Sequence, residues 1–156
     1  MDELDYSIVD LLQRNGRATQ LELSRSVGLS QPAVAERIRK LEERGVITGY
    51  AARVDAAKLG NDITAFIGVS IEHPKYFDGF ARKVLAMPEV LEAHRVAGQD
   101  SYILKVRTAN TRTLDTLLVE TLRTIAGVIR THSTIVLTSI KEETYVHPSH
   151  ESVKGA

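Results

Sequence analysis

The chain has 156 residues, no cysteine, no tryptophan and as many Lys+Arg as Asp+Glu, so its formal net charge is zero. That length suits one medium domain or two small ones; the missing cysteine excludes disulfides, thiolate-bound zinc, iron–sulfur clusters and thiol nucleophiles, and fits a reducing compartment. No apolar run approaches the ~20 residues of a membrane span, and the acidic opening Met1-Asp2-Glu3-Leu4-Asp5 is unlike a signal or transit peptide, so the expected setting is cytoplasmic, with no membrane partner.

The first fifty residues read as three helices. Leu4, Ile8, Leu11 and Leu12 recur at helical spacing, and Asn15-Gly16 ends that run, with Gly16 expected as a left-handed cap. Thr19-Gln20-Leu21-Glu22 has the form of a capping box and opens a short helix with apolar Leu21, Leu23 and Val27 that stops at Gly28. Ser30 caps a third helix, with Pro32 in its first turn, where a missing N–H costs little. Val34, Ile38 and Leu41 form its apolar stripe, and Arg44-Gly45 marks its end. Val46 and Ile47 are expected to begin a β-rich segment.

From Ile63 the period changes to two. Ile63, Ala65, Ile67, Val69 and Ile71 alternate with Thr64, Phe66, Gly68 and Ser70, the pattern of a strand. Phe77, Phe80, Ala81, Val84 and Leu85 follow helical spacing. Val90 to Ala97 reads as a strand, Gly98-Gln99-Asp100 as a turn, and Tyr102 to Arg107 as another strand. Leu114, Leu117, Leu118, Leu122 and Ile125 form a second helix face that ends near Gly127, and Val128 to Ile140 reads as a long β-branched strand. The order is βαββαβ, a ferredoxin-like arrangement: an antiparallel sheet with helices on one face and a second face, with apolar or small residues of its own, that needs a cover. The fold class is thus α+β. The predicted divisions are 1–50 for the helical domain, 51–62 for a connector, 63–141 for the sheet domain, and 142–156 for a polar tail with no fixed structure.

The strongest functional signal is the helix–turn–helix from Thr19 to Gly45, whose two short helices meet at Gly28-Leu29-Ser30. In this motif the second helix enters the major groove of double-stranded DNA, and its N-terminal residues meet base edges. That helix offers Ser30, Gln31, Pro32, Ala33, Glu36, Arg37 and Lys40. Gln can bond adenine bidentately, Arg can bond guanine, and an Ala methyl can touch thymine. Arg39, Lys40 and Arg44 suit phosphates, and the Thr19 hydroxyl at a helix N-terminus suits one more. Between Gln13 and Arg44 the bases Arg14, Arg17, Arg25, Arg37, Arg39, Lys40 and Arg44 outnumber the acids Glu22, Glu36, Glu42 and Glu43. The excess is modest, and affinity follows the number of phosphates neutralised. Binding as a dimer or larger is therefore expected, with two recognition helices reading sites about 10 base pairs apart.

These residues resemble the Lrp/AsnC family of leucine-responsive, feast/famine transcription regulators. The likeness runs through Leu4-Asp5, Asn15-Gly16-Arg17, Glu22-Leu23-Ser24 and Val27-Gly28-Leu29-Ser30. It continues in Glu36-Arg37-Ile38-Arg39-Lys40-Leu41-Glu42 and Gly45-Val46-Ile47-Thr48-Gly49-Tyr50, then Val96-Ala97-Gly98, Tyr102-Ile103-Leu104-Lys105-Val106 and Gly127-Val128-Ile129-Arg130-Thr131. It spans about residues 2 to 141. The resemblance implies an N-terminal winged helix-turn-helix and a C-terminal ferredoxin-like (ACT-like) sensing and oligomerisation domain. It further implies homodimers that pair through the open sheet face and build tetramers or octameric rings. An amino-acid effector is implied between subunits near the turn Gly98-Gln99-Asp100-Ser101-Tyr102, with Asp100 accepting from an α-ammonium group and Ser133 and Thr134 contributed by a neighbouring subunit. Many members carry an acid directly before the tyrosine. This chain has Ser101 there and Asp100 one place earlier, and a one-residue shift beside a strand turns a side chain to the other face. Read without the resemblance, Gly98-Gln99-Asp100 is a hairpin turn.

The function these features suggest is a sequence-specific DNA-binding regulator modulated by a small amino acid. The alternatives are an architectural DNA-wrapping protein of low sequence preference and, more remotely, a sirohaem-decarboxylase-like enzyme. The latter is recognised by a His-Tyr-x-Arg-type segment; here Glu92-Ala93-His94-Arg95-Val96 stands in that place without the tyrosine. No spacing picks out a catalytic set, and no cofactor or metal is expected. His73, His94 and His132 read as packing or hydrogen-bonding residues. His147 and His150 read as tail residues of no more than adventitious metal affinity.

Overall fold

The computed structural model describes residues 1–148. The chain forms two compact units: Met1–Arg53 together with the segment from Lys141, and Val54–Ile140.

The first unit is built from α1 (Glu3–Arg14), α2 (Gln20–Val27) and α3 (Gln31–Glu43). Ile8, Leu23, Val34 and Leu41, one or two from each helix, are its fully buried side chains; Leu21, placed in the apolar pattern of α2, is exposed. Each helix start is capped as its sequence dictates. Asp2 and Asp5 form a reciprocal box on α1, Thr19 and Glu22 another on α2, and Ser30 accepts the Ala33 N–H on α3. Gly28 adopts φ 71°, a left-handed value that a side chain would strain, so the turn between α2 and α3 is tight. Gly16 does not take the left-handed cap expected of it. Asn15 closes α1 instead at φ −141°, its side-chain oxygen accepting the Arg17 N–H at 3.0 Å, an Asx-type turn that leaves Gly16 no special task.

The β-rich segment expected from Val46 is absent among the described residues. Residues 46–62 hold only the 3-10 turn Ala57–Leu59. A strand needs a ladder partner for its N–H and C=O groups, and no strand among the described residues pairs with this stretch. Of the segment read as a tail without a fixed place, Tyr145 and Val146 pack on α1, and 149–156 lie outside the described residues. Val146 and Gln13 exchange two hydrogen bonds, 3.0 and 2.8 Å. The Tyr145 hydroxyl donates to Asp10, and the Arg14 guanidinium lies 5.1 Å from the Tyr145 ring centre.

The second unit has strands β1 (Ile63–Ile71), β2 (Val90–Arg95), β3 (Tyr102–Thr108) and β4 (Val128–Ile135) in the order β2-β3-β1-β4, all neighbours antiparallel. One face packs against α4 (Phe77–Leu85) and a second helical segment. Its core holds Ala65, Ile67, Val69, Leu104, Val106, Phe80 and Leu122. β4 stops short of Ile140 because its partner runs out: Val136 bonds Thr64 at 2.9 Å, and β1 begins only one residue before Thr64. β2 ends at Arg95 rather than Ala97 because the turn into β3 begins there.

The second helical segment starts as α5 (Thr111–Thr116), widens to a π turn over Leu117–Thr121 and tightens to a 3-10 turn over Leu122–Thr124. The Leu122 N–H reaches the Leu117 carbonyl, five residues back. A five-residue step on an ordinary α-helix would swing one leucine off the buried face. The wide turn keeps Leu117 and Leu122 both in the core.

Candidate functional site

The first candidate site is the exposed side of α3. Ser30, Gln31, Pro32, Glu36, Arg39 and Lys40 are exposed, and Ala33 and Arg37 half-buried. Ser30 spends its oxygen on the Ala33 N–H. Gln31 is on the first turn of the helix, and its side chain makes no hydrogen bond among the described residues; this is the position from which the motif reads base edges. Arg39 lies between Glu36, at 2.7 Å, and Glu43, and Lys40 lies 3.4 Å from Glu36. Hydrogen bonding to Arg39 holds the Glu36 carboxyl down to about 2. These are exposed i,i+3 and i,i+4 pairs, which contribute little and exchange readily for a phosphate.

Two expectations about this surface change. The Thr19 hydroxyl is already committed: it accepts the Glu22 N–H and donates to the Glu22 carboxylate at 2.9 Å. That carboxylate, lowered by the Thr19 N–H, occupies the N-terminus where a phosphate was expected. Arg37 is turned inward as well. Its Nη1 bonds Asp2 at 2.8 Å and Asp5 at 2.6 Å, so its guanidinium is held by α1 and is not presented as a guanine-reading fork.

The second candidate site is the sheet face away from the helices. Directly opposed residues share a face, which places Phe66 with Lys105 and Thr134, Gly68 with Ile103 and His132, and Ser70 with Arg130. Asp100 folds over this face from the β2–β3 turn, its side chain 11% exposed. Asp100 accepts from Ser70 Oγ at 3.0 Å and lies 3.4 Å from His132 Nδ1 and 3.7 Å from Arg130. A Cβ built on Gly68 would come within 2.3 Å of the Asp100 carboxylate and 2.4 Å of the His132 ring, so only glycine lets this cluster lie across β1.

Of the residues expected to hold an effector, Gly98 and Gln99 are exposed in the turn. Ser101 is tied into the sheet: its N–H bonds the Val69 carbonyl at 2.8 Å, and its Oγ accepts the Ile71 N–H at 3.0 Å. The Tyr102 ring lies on the helix side, 4.8 Å from Phe80 and 5.7 Å from Phe77, and is buried in the core. Ser133 and Thr134 point to opposite faces, Ser133 opposite Ile67 and Thr134 opposite Phe66. The structure thus gathers Asp100 with Ser70, Arg130 and His132, three residues to which the sequence reading gave no part in the site, and with Gly68 beneath them. The period of two on β4 was the available signal: Arg130, His132 and Thr134 share a face by simple alternation. Among the described residues no group of three or more His, Asp or Glu is placed to hold a metal; His150 lies outside them. No helix among them is long and apolar enough to cross a membrane.

Residues 1–48 match the family model for winged helix-turn-helix DNA-binding, and residues 64–146 match that for the Lrp/AsnC ligand binding domain. The chain belongs to the Lrp/AsnC family. It is 41% identical over 137 residues to the HTH-type transcriptional regulator LrpA of Mycobacterium tuberculosis, covering 88% of this chain and 90% of the relative. Among solved structures, a transcriptional regulator of Neisseria meningitidis in complex with L-methionine superposes with a TM-score of 0.91 at 32% identity, covering 97% of this chain and 99% of that one. A feast or famine regulatory protein of M. tuberculosis complexed with L-methionine gives 0.87 at 39% identity, covering 94% and 99%. The α+β architecture of a helix-turn-helix unit and a four-stranded antiparallel sheet unit is that of the family. With its relatives named as HTH-type regulators and its own N-terminal unit of the DNA-binding kind, this Lrp/AsnC member is a DNA-binding regulator and not an enzyme.

Proposed function

We propose that this regulator binds specific DNA sequences as a cytoplasmic homo-oligomer whose assembly or DNA affinity shifts when a small amino acid binds between subunits. The observation that carries this reading is the Asp100–His132–Arg130 cluster. It sets the His132 ring 3.4 Å and the Arg130 guanidinium 3.7 Å from one carboxylate, on the sheet face away from the helices of its unit. A zwitterion presents the complementary pair: an α-ammonium for Asp100 and an α-carboxylate for the Arg130 guanidinium, a fork suited to carboxylates. Two relatives bind L-methionine, which supports an amino-acid effector here. Pairing of two subunits through the open face would bring the cluster, together with Gly98, Gln99 and Thr134, to a boundary between chains, and further assembly to a tetramer or octamer would multiply such boundaries. On the DNA side, Gln31 and Ala33 would meet base edges while Arg39, Lys40 and Arg44 take phosphates.

An effector can shift assembly or DNA affinity only through its different affinity for the two states. The test is a titration of the full chain against a duplex selected from a random pool, read by fluorescence anisotropy at stated salt, with each L-amino acid added in turn. The expected result is a preference of ~10³ or more over scrambled DNA, and a shift in that affinity with at least one amino acid that Asp100→Ala abolishes. No shift with any amino acid, or a shift that survives Asp100→Ala, removes the effector site. Equal binding to all duplexes would move the protein to the architectural class.

A further inference from the structure

The recognition helix carries one basic group that its neighbours treat differently from the rest. Arg39 and Lys40 are mostly exposed and pair with acids on their own helix. Arg37 reaches a different helix. Its side chain is 29% exposed, and its Nη1 contacts both oxygens of Asp2, at 3.0 and 2.8 Å, and Asp5 at 2.6 Å. Asp5 is 13% exposed. Those two acids are also the capping box of α1: the Asp5 N–H bonds Asp2 at 2.9 Å, and the Asp2 N–H bonds Asp5 at 3.2 Å. A box made of two carboxylates is unusual in its charge. Glu or Gln opposite Ser or Thr is the common pairing, whereas two carboxylates this close disfavour each other's ionisation. The Arg37 guanidinium touches both and neutralises that repulsion. Consistent with this, the Asp2 carboxyl is held below its ordinary range, first by the Asp5 N–H and then by Arg37.

The competition with DNA follows from burial. An exposed i,i+4 pair yields its cation to a phosphate at small cost. Withdrawing Arg37 would take the cation away from Asp5, whose side chain is only 13% exposed, and stripping one partner from a largely buried pair is the expensive step. Arg37 is therefore costlier to recruit to a base or phosphate than Arg39 or Lys40.

We infer that Arg37 is a positioning residue: it locks the recognition helix to the first turn of α1 through the Asp2–Asp5 cap, setting the angle of α3, and reads no base itself. The inference rests on the DNA-reading assignment of α3.

The full chain and its Arg37→Ala, Arg37→Lys, Asp5→Ala and Asp5→Ala/Arg37→Ala variants would be titrated against a duplex selected from a random pool and against its single-base-pair variants. Arg37→Ala and Asp5→Ala are each expected to weaken binding by roughly tenfold on every duplex alike, with the double variant no weaker than the poorer single, since they break one coupling. Arg37→Lys restores part of the affinity, because a point charge still reaches the two acids. A guanine-reading fork behaves otherwise: Asp5→Ala leaves affinity intact or raises it, and Arg37→Lys loses preference at one base pair, because Lys does not reproduce the fork. Either result overturns the inference. Where Arg37→Ala fails to fold, Arg37→Lys and Asp5→Ala carry the same comparison. A wild-type chain that binds no duplex refutes DNA reading by α3 and with it Arg37's part in reading. The lock has its own readout in that case: hydrogen exchange of the first-turn amides of α1, without DNA, speeds in Arg37→Ala, and less in Arg37→Lys, variants that leave the Asp2–Asp5 box itself intact, if it exists and is unchanged in both if it does not.

Discussion

At the scale of single residues, the sheet site depends on an atom that is absent. Gly68 has ordinary strand geometry and needs no positive φ; its reason is space. Asp100 and His132 cross β1 where its Cβ would stand. Adding that carbon forces Asp100 off Ser70 or pushes β1 and β4 apart, and overpacking of this kind costs typically about 1–3 kcal/mol. Gly68→Ala is expected to lower the unfolding free energy of the sheet unit by that amount, seen as a lower urea midpoint, and to remove any amino-acid response, while leaving the helix-turn-helix unit folded. A variant of unchanged midpoint and response would mean that Asp100 and His132 swing aside at no cost, and the cluster would then not be a preorganised site.

At the scale of elements, local rules were legible wherever one residue type had one task. The capping residues Thr19 and Ser30, the left-handed Gly28 and the buried stripe Val34–Leu41 all stand where pattern and chemistry put them. The elements that departed from the sequence reading depend on a partner the linear pattern does not name. β-Branched residues continue past Ile135, but the strand ends where β1 does. Val46 and Ile47 have strand propensity and no ladder. Two buried leucines of the α5 segment, Leu117 and Leu122, are five residues apart, a step that the π turn absorbs. Helical spacing shows that Arg37 lies on α3 and not that Asp2 and Asp5 of the α1 cap meet it from across the unit. Acid stability offers a check on the reading of α3. Glu36 is depressed to about 2, by hydrogen bonding to Arg39 and then by the nearby charges of Arg39 and Lys40, from an ordinary value of 4.5. A group depressed in the folded state contributes stability that is present above the unfolded value and is lost as pH falls through the folded one. The wild-type chain and Glu36→Gln are therefore expected to differ in helical ellipticity melting temperature above about pH 4.5, and to converge as the pH approaches about 2. Curves that stay parallel over that window would show that the Glu36 pairs add nothing to α3.

At the scale of the whole molecule, the helices of the sheet unit cover one face of its four strands. The other face carries Phe66, 41% exposed, and Ile103 beside Gly68 in its middle, flanked by Lys105–Glu92 and by Arg130–Asp100–His132. A face with an apolar centre and both signs of charge at its margins suits a two-fold interface, in which one patch meets its own copy and each positive group can find a negative one. A solvated antiparallel face is ordinarily polar throughout, and the central phenylalanine departs from that. Pairing also serves the DNA reading. The α3 surface is nearly balanced in charge because Glu36 and Glu43 offset Arg39 and Lys40, so one unit offers few phosphate contacts, and two linked units gain by effective concentration what one lacks. Phe66→Glu places a carboxylate at the centre of that face, next to Lys105 and Thr134 in register, where a single chain tolerates it and a pair must desolvate two like charges together. Light scattering after size exclusion is expected to show the wild-type chain as a dimer or a multiple of one and Phe66→Glu as a monomer of unchanged melting cooperativity, with the affinity for a two-half-site duplex falling to that for a single half-site. A wild-type monomer, or a Phe66→Glu chain of wild-type mass, would remove the open face as the interface, and with it the boundary at which Asp100 and Arg130 are proposed to hold an amino acid.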